Sequence, residues 1–398
     1  MIPPKRVILI DIWSYKVKTA LCEYLNWEIK ILKTSCKRQD PTDIISWEIA
    51  NIVWVSNTIE KAIFQLLDWL KINPKDIIIN IPTLNIISSN DKINYSRVDK
   101  YTQIDMQELD TIVSKAELQA LNKARKEIIE KTWYIDVDLK LITSSITSIT
   151  IDWLRVSNPM WFTWSQVSIS TLNIFVPYSR YNLVQKISEY LNKNILSIAP
   201  IEFCIPKLFE KTQYAYDDIV FIEIWNSKTS VIVQKSWVIE GFNTYNLWTS
   251  DLIKLIKENT QTSKIDIINN LNKKDTYLKE KQEFLSIWQE WFFISVKDIL
   301  KDKIIPHNIF ISWWWNNEFI KDFIKELDIS KQKLHTLKPF SFIDLQEFDF
   351  IDFNNNDSLK DKTNISLLSM ILASRDIVNN KSNPIMKILK NFLEKNEY

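Results

Sequence analysis

The segment after the first apolar run of the chain carries residue types that bind phosphate and magnesium. It begins with Asp11, passes through Trp13 and Ser14, and ends with Lys16. A tight turn brings backbone N–H groups close to an anion, and a hydroxyl and a lysine complete such a cradle. A carboxylate at a strand end holds Mg²⁺ through water, because magnesium retains several of its waters. The segment therefore predicts a phosphate-binding turn with Asp11 beside the metal.

A second segment repeats this arrangement later in the chain. Glu223 ends another apolar run, and the residues that follow it at the predicted turn are Trp225, Asn226, Ser227 and Thr229. Two acid-ended hairpins that face one another would clamp the phosphates of a nucleotide. Glu223 would then be the second water-mediated magnesium ligand.

A third segment places a run of aromatic residues directly after an apolar strand. The run comprises Trp313, Trp314 and Trp315, and Asn316 follows it at the predicted start of a helix. As a glycine loop, this segment would let the backbone lie flat against an adenine or a ribose. The three segments together predict an ATP site with bound magnesium.

The composition of the chain explains why tryptophans occur at these turns. The chain has one glycine and seventeen tryptophans, whereas glycine averages about 7% of residues in proteins. Turns need glycine where φ is positive, and tryptophan is a poor turn residue. We interpret most or all of these tryptophans as glycines of the cellular protein, since some bacterial lineages read the UGA codon as glycine. The alternative is a protein that is truly rich in tryptophan, such as a glycan binder with an aromatic platform.

Charge and cysteine content exclude several other classes of protein. The chain carries 50 basic and 49 acidic residues, which gives no support for a nucleic-acid footprint over the whole chain. The chain has three scattered cysteines and two histidines. This content argues against a disulfide framework, a zinc site and a histidine dyad, and it fits a reducing cytoplasm. No apolar run reaches the roughly 18 residues that a membrane span needs.

The elements that must position these segments form an α/β pattern with an internal repeat. Hairpins are predicted at 7–21 and 219–234, each with an acid before its turn. A helix is predicted over 57–71, because apolar residues recur there with helical spacing. The stretch 84–167 changes character and predicts a small inserted subdomain with a polar helix near 107–118 and separate strands at 138–143 and 145–152.

The end of the chain predicts an amphipathic helix. Pro384 occupies a favourable first helical position after a polar linker at 378–383. Its apolar face comprises Ile385, Met386, Ile388, Leu389, Phe392 and Leu393, and basic residues beside it include Lys387 and Lys390. Such a pattern is typical of a helix that lies in the membrane interface. The alternative is a helix that docks on the folded domain.

These motifs resemble the actin-like ATPase superfamily and, within it, the FtsA family of bacterial cell-division proteins. Residues 11–16 and 223–229 resemble the two phosphate motifs of the superfamily, and 309–316 resembles its adenosine motif. With glycine in place of tryptophan, 158–164 and 247–251 also resemble FtsA segments. The resemblance spans nearly the whole chain.

The resemblance implies an α/β architecture of two related actin-like domains around a nucleotide cleft, with a small α+β subdomain inserted in the first. The implied parts are a first domain (1–83 and 168–196), the inserted subdomain (84–167), a second domain (197–228 and 305–377), its upper subdomain (229–304), the linker (378–383) and the membrane-targeting helix (384–398).

The resemblance also implies a function. The chain would bind ATP and Mg²⁺, assemble into filaments, recruit other division components and tether the C-terminal tail of FtsZ to the cytoplasmic face of the membrane at the division site. The tail would dock on 229–304, and 84–167 would contact neighbouring subunits. Nucleic acid is not an expected partner.

The chain departs from the superfamily pattern at one acid. Glu223 stands where the superfamily usually has aspartate, and no general base is identifiable. The expected enzymatic activity is therefore a weak ATPase at most. Two alternatives remain open: a pilus-assembly protein like PilM, which shares the inserted subdomain, and a phosphotransferring sugar kinase of the same superfamily.

Overall fold

The computed structural model describes residues 4–25, 27–97, 99–132, 137–156, 158–160, 162–225, 228–236, 238–247, 249–273, 275–301, 304–313, 341–343, 345 and 357–379. The chain divides into two compact units. The first unit takes the described residues within Met1–Ile44, Ile49–Cys204 and Met370–Tyr398, and the second takes those within Ile45–Glu48 and Ile205–Ser369.

Both units contain strands and helices. The described strands are β1 (Lys5–Ile12), β2 (Lys16–Leu25), β3 (Glu28–Arg38), β4 (Ile44–Ile45), β5 (Glu48–Ile49), β6 (Asp76–Ile79), β7 (Ile87–Ser96), β8 (Leu139–Ile151), β9 (Leu154–Val156), β10 (Gln166–Pro177), β11 (Asn194–Ile198), β12 (Ile219–Ile224), β13 (Thr229–Lys235), β14 (Val238–Tyr245), β15 (Asn308–Trp313) and β16 (Ser341–Phe342). The described helices are α1 (Ile52–Leu67), α2 (Met106–Thr132), α3 (Tyr178–Leu191), α4 (Ile201–Cys204), α5 (Thr249–Thr260), α6 (Lys264–Asn270), α7 (Leu278–Leu300) and α8 (Ile365–Asn379).

The main sheet of the first unit has five strands in the order β11-β6-β1-β2-β3. β1 pairs antiparallel with β2 and parallel with β6, and β6 pairs parallel with β11. The run from Val7 to Ile12 in β1 is buried throughout, because a central strand covered on both faces needs apolar residues at successive positions. This burial places the end of β1, and Asp11 with it, inside the unit.

Helix α1 packs against this sheet through one apolar face. Val55, Ile59 and Leu66 are buried on it, and Asn51 caps the helix by accepting a hydrogen bond from the backbone N–H of Trp54. The helix therefore spans 52–67, so the predicted span of 57–71 was wrong at both ends. The cap starts it five residues before the predicted position. A tight turn at 67–70 ends it, with the Leu70 N–H donating to the Leu67 carbonyl at 2.9 Å.

A separate four-stranded sheet, in the order β7-β10-β8-β9, supports the long helix α2. Two apolar clusters hold helix and sheet together, one with Ile112 and Ile169 and the other with Ala124 and Phe175. Glu117 lies on α2 between the parts of the helix that enter these two clusters and is buried.

Two predictions for this region were wrong in detail. The helix continues far beyond 107–118, to Thr132, since apolar residues keep recurring on its buried side. The two predicted strands at 138–143 and 145–152 are the single strand β8. Irregular pairing with β10, at Ser170/Thr171 and at Ile174/Phe175, accommodates the polar residues that suggested a break.

The main sheet of the second unit repeats the connectivity of the first. Its order is β14-β13-β12-β15-β16, in which β12 pairs antiparallel with β13 and parallel with β15. Helix α7 covers this sheet with Phe284, Trp288 and Phe292 in its core. The internal repeat predicted from the two hairpins is therefore a duplication of a whole five-stranded sheet. Among the described residues, no helix is long and apolar enough to span a bilayer.

Candidate functional site

The first candidate site lies where β1 turns into β2. Ile12 and Val17 are the last paired residues of the hairpin, and the Trp13 N–H donates to the Lys16 carbonyl at 3.0 Å to close the turn. Ser14 and Lys16 lie in this turn and are partly buried. The turn therefore brings together the four residues that the sequence predicted to act together.

Asp11 lies directly before this turn and is completely buried. Its Oδ1 accepts a hydrogen bond from the Asn80 amide at 2.8 Å, and its Oδ2 lies 3.7 Å from the Lys18 Nζ. The Asn80 Oδ1 in turn accepts from the backbone N–H of Ile12 at 2.8 Å. A neighbouring strand and a neighbouring lysine thus hold the Asp11 carboxylate in one orientation.

Lys18 and Asn80 are functional candidates that the sequence reasoning missed. Lys18 lies opposite Asp11 in the antiparallel register, so the hairpin pattern contained a signal for it once the turn length was known. Burial lowers the pKa of Lys18, and the Asp11 carboxylate opposes that effect. Asn80 follows β6 and reaches Asp11 only through the parallel pairing of β6 with β1. No local pattern in the sequence identifies it.

The second candidate site repeats the geometry of the first. Ile224 and Thr229 are the last paired residues of the β12–β13 hairpin, and the Trp225 N–H donates to the Lys228 carbonyl at 2.8 Å. Glu223, the equivalent of Asp11, is buried as well. Asn226 and Ser227 lie outside the described residues, so their predicted contribution stays a prediction.

Helix α7 contacts the second turn through a hydrogen bond to its last flanking residue, Thr229. The Trp288 Nε1 donates to the Thr229 Oγ1 at 3.1 Å, and this hydroxyl donates to the Leu247 carbonyl at 2.9 Å. Thr229 was predicted as a ligand residue, but its hydroxyl makes these buried structural contacts. Leu247 precedes α5, so the two hydrogen bonds join three elements of the second unit at the base of the turn.

The third predicted segment begins at the same edge of the second sheet. β15 pairs in parallel with β12, and Ile224 lies beside Trp313 while Glu223 lies beside Ser312. The end of β15 therefore lies next to the second turn. Trp314, Trp315 and Asn316 lie outside the described residues, as does the predicted membrane helix at 384–398.

The encoded tryptophans do not fit a phosphate at the first turn. Trp13 is 4% exposed, and its ring centroid lies 5.4 Å from the Lys18 Nζ. The indole therefore covers the buried cation that a phosphate would need to reach. A glycine at this position would remove the whole side chain and leave the turn N–H groups accessible.

The second turn contains a comparable aromatic obstruction within its unit. Trp225 is buried and stacks on Trp47, with ring centroids 6.0 Å apart. The Lys228 Nζ lies 5.2 Å from the Trp47 centroid. Indole side chains therefore occupy both predicted phosphate turns. In the described part of the chain, no group of three or more His, Cys, Asp or Glu side chains is placed to hold a metal.

Comparison with known proteins identifies the fold. No protein-family model matches the sequence, and no curated protein matches it significantly. Among solved structures, a PilM–PilN type IV pilus biogenesis complex matches with a TM-score of 0.62 and 11% identity, over 93% of this chain and 98% of the matched chain. The chain has an actin-like ATPase fold. The predicted fold class is confirmed.

Two further solved structures match this actin-like chain at lower TM-scores. The ethanolamine utilization protein EutJ from Carboxydothermus hydrogenoformans gives 0.46 at 7% identity, over 93% of this chain and 90% of the other. A Bacteroides thetaiotaomicron protein with an actin-like ATPase fold and unknown function gives 0.41 at 7% identity, over 92% and 95%. The fold assignment rests on the duplicated sheet and the PilM–PilN match.

Proposed function

We propose that this protein is a nucleotide-binding scaffold of the actin-like fold, with ATP as its ligand and Mg²⁺ bound through water beside Asp11 and Glu223. The observation that carries the proposal is the duplication. Two buried acids, Asp11 and Glu223, occupy the same position before two turns of the same register on two sheets of the same topology. The proposed ligand site needs glycine at residues 13 and 225, because the indoles encoded there cover the turns.

Residues around the first turn have distinct roles in the proposed phosphate site. Asn80 and Lys18 hold the Asp11 carboxylate in place, and Lys18 supplies positive charge at the turn. ATP, when bound, would supply the phosphate charge that these groups recognise. Glu223 has a longer side chain than aspartate, and no general base is identifiable among the described residues. We therefore propose that ATP acts as a ligand that sets the conformation of the protein and is not hydrolysed at a significant rate.

ATP binding by the full-length chain tests the proposal. We expect the double variant Trp13→Gly/Trp225→Gly to bind Mg·ATP in equilibrium dialysis, and the chain with both tryptophans to bind at least tenfold more weakly. Trp153→Gly, which changes an exposed hairpin loop elsewhere, is the matched control and leaves binding unchanged. Failure to bind ATP both by the double variant and by the same variant with glycine also at Trp313, Trp314 and Trp315 would contradict the proposed ligand.

The proposed cellular role is that of an FtsA-like division protein on the cytoplasmic face of the membrane. The sequence motifs of the FtsA family support it, together with the apolar and basic pattern of 384–398. The protein would bind the FtsZ C-terminal tail through 229–304, assemble into filaments and recruit other division components. The proposed domain boundaries and the membrane residues given above belong to this same proposal.

Co-sedimentation with lipid vesicles tests the membrane part of this role. We expect the full-length chain to sediment with vesicles that contain anionic lipid and a chain ending at 383 to remain in the supernatant. Lys387→Glu/Lys390→Glu keeps the length of the segment and is expected to weaken sedimentation. Equal sedimentation of all three proteins would argue that 384–398 is not the anchor.

A pilus-assembly role is the second candidate, and one observation favours it. The PilM–PilN complex matches nearly the full length of both chains. A PilM-like protein would bind a PilN-type partner instead of FtsZ. Fluorescence anisotropy with a labelled FtsZ tail peptide and with labelled PilN separates the two roles. Binding of the FtsZ peptide alone supports the division role, and binding of PilN alone replaces it with the pilus role.

A further inference from the structure

Four tryptophans adopt a backbone conformation that favours glycine. Among the described tryptophans, φ is 70° at Trp27, 64° at Trp47, 67° at Trp69 and 77° at Trp153. Only a few per cent of residues other than glycine have positive φ, and bulky ones among them are outliers. Four such residues of one type in one chain therefore need a common explanation.

Three of these tryptophans occupy the second position of a two-residue hairpin loop. Trp27 lies between the paired residues Leu25 and Glu28, and Trp153 lies between the paired residues Ile151 and Leu154. Trp47 lies in the same position between β4 and β5.

The dihedral angles of the loops at 46–47 and 152–153 define their turn type. The residues before Trp47 and Trp153 have positive φ as well, 48° at Ser46 and 39° at Asp152. Positive φ at both loop residues is the type I′ turn, for which Asn-Gly and Asp-Gly are strongly preferred. The encoded pairs Asn26-Trp27 and Asp152-Trp153 become these two preferred dipeptides when tryptophan is replaced by glycine.

The fourth tryptophan ends helix α1 in a different turn that also requires glycine. Asp68 has φ −53° and ψ 130°, Trp69 has φ 67°, and the Leu70 N–H donates to the Leu67 carbonyl. These values describe a type II turn, whose third residue is glycine for steric reasons. Two unrelated turn types therefore place tryptophan at their glycine position.

Packing does not explain the conformations of the three exposed tryptophans, whereas Trp47 is buried against Trp225. Trp69 is 93% exposed, Trp153 is 87% exposed and Trp27 is 54% exposed. These three side chains bury too little apolar surface to offset the energetic cost of a left-handed backbone conformation. The backbone at these positions therefore has glycine geometry, although it carries indole side chains.

Trp288 shows the opposite combination of features. It lies in the interior of helix α7, is completely buried, and donates its Nε1–H to the Thr229 Oγ1. Its ring stacks on Phe292 with centroids 5.8 Å apart. A glycine at this position would leave a large cavity in the core and would remove the only indole donor to Thr229 among the described residues.

The structure assigns glycine to positions 27, 47, 69 and 153 of the cellular protein and tryptophan to position 288. The assignment extends to positions 13 and 225 because they occupy equivalent turns in which an indole covers a lysine or stacks on a second indole. This extension also rests on the proposed function. The glycine assignments at 27, 47, 69 and 153 rest on backbone geometry, and the tryptophan assignment at 288 rests on the burial and hydrogen bond of its indole. The chain thus contains two kinds of encoded tryptophan, one translated as glycine and one as tryptophan.

Peptide mass spectrometry of the protein purified from its own cells tests the assignment directly. We expect the mass of glycine at positions 27, 47, 69 and 153 and the mass of tryptophan at position 288. A tryptophan mass at any of the four turn positions would overturn the assignment there, and a glycine mass at 288 would overturn the distinction between the two kinds. Neither readout requires that the protein bind a nucleotide.

The thermal stability of recombinant full-length chains provides an independent test. We expect Trp153→Gly and Trp69→Gly each to raise the Tm by about 2–4 °C relative to Trp153→Ala and Trp69→Ala. Alanine removes the same exposed indole but retains the Cβ that opposes positive φ. We expect Trp288→Gly to lower the Tm by several times that amount. Equal Tm values for the glycine and alanine variants would overturn the inference.

The two tests also separate this inference from the proposed ligand. Glycine masses and raised Tm values, combined with no ATP binding by Trp13→Gly/Trp225→Gly or by the same variant with glycine also at Trp313, Trp314 and Trp315, would leave the assignment standing and overturn the nucleotide proposal. Tryptophan masses combined with ATP binding by the double variant would overturn the assignment and leave the proposed binding turns as an engineered property.

Discussion

At the scale of single residues, two buried acids lie in different surroundings. Asp11 is oriented by Asn80 and lies near Lys18. Glu117 instead lies on α2 within the contact between the helix and its sheet. Burial raises the pKa of Glu117 to about 8. A hydrogen bond with Ser144 opposes this rise, and the nearby Asp110 carboxylate adds to it.

This raised pKa predicts that stability falls as the pH rises. A carboxyl whose folded pKa exceeds its unfolded value is protonated in the folded state, so its stabilising effect is complete below the unfolded pKa and is lost up to about pH 8. We expect the free energy of unfolding to fall by a few kcal/mol between pH 5 and pH 8, on the order of 1.4 kcal/mol for each unit of pKa shift.

Urea denaturation across this pH range measures the effect. Glu117→Gln is expected to flatten the pH dependence, because glutamine keeps the shape of the neutral acid without its titration. Glu130→Gln changes an exposed residue of the same helix and is the control that should leave the pH dependence intact. An unchanged pH profile in Glu117→Gln would show that this carboxyl is not the source.

At the scale of elements, the second turn depends on a helix that is distant in sequence. The hydrogen bond from Trp288 to Thr229 joins α7 to the first residue of β13, and Thr229 is tied in turn to Leu247. Both polar groups are buried, and a buried hydroxyl that loses its partner is costly. Helix α7 is therefore a support for the turn as well as a cover for the sheet.

Removing the indole donor is expected to destabilise the second unit. Trp288→Phe keeps an aromatic ring but loses the Nε1–H, and we expect a loss of about 1–3 kcal/mol in the free energy of unfolding. Trp291→Phe, on the exposed side of the same helix, is the control and should cost much less. Equal losses in urea denaturation would mean that the hydrogen bond contributes nothing beyond ring packing.

At the scale of the whole molecule, the chain uses one sheet topology twice. Each unit has its own five-stranded sheet with three antiparallel strands and two parallel additions. Each of the two sheets ends its first strand with a buried acid before a turn. A ligand that binds such turns in the folded chain stabilises that state by mass action.

Nucleotide should therefore raise the melting temperature of the glycine form. At a concentration about 100-fold above its Kd, a ligand adds about 2.7 kcal/mol to the free energy of unfolding. We expect this shift with Mg·ATP for Trp13→Gly/Trp225→Gly and a clearly smaller shift for the chain with both tryptophans, which binds more weakly. A shift of equal size in both chains would place the nucleotide away from these turns.

Several features followed from local patterns in the sequence alone. The two acid-ended hairpins, their repetition, the α/β class and the turn-like context of the tryptophans were all predictable, because short apolar runs and turn chemistry act over a few residues. The start of α1 and the continuity of β8 as one strand were not predictable from local patterns. The start of α1 depends on the capping hydrogen bond at Asn51, and the continuity of β8 depends on its irregular pairing with β10.

The sequence by itself determined which residues would form the turns and that glycine was missing from them. Only the tertiary structure decided what surrounds the turns. Asn80 reaches Asp11 across 69 residues of chain, and Trp288 reaches Thr229 across 59. Such contacts depend on strand register and on the packing of a helix against a finished sheet. Strand register and helix packing are not encoded by neighbouring residues, whereas the positive φ of a turn is. For this reason the glycine positions were recognisable both in the sequence and in the structure.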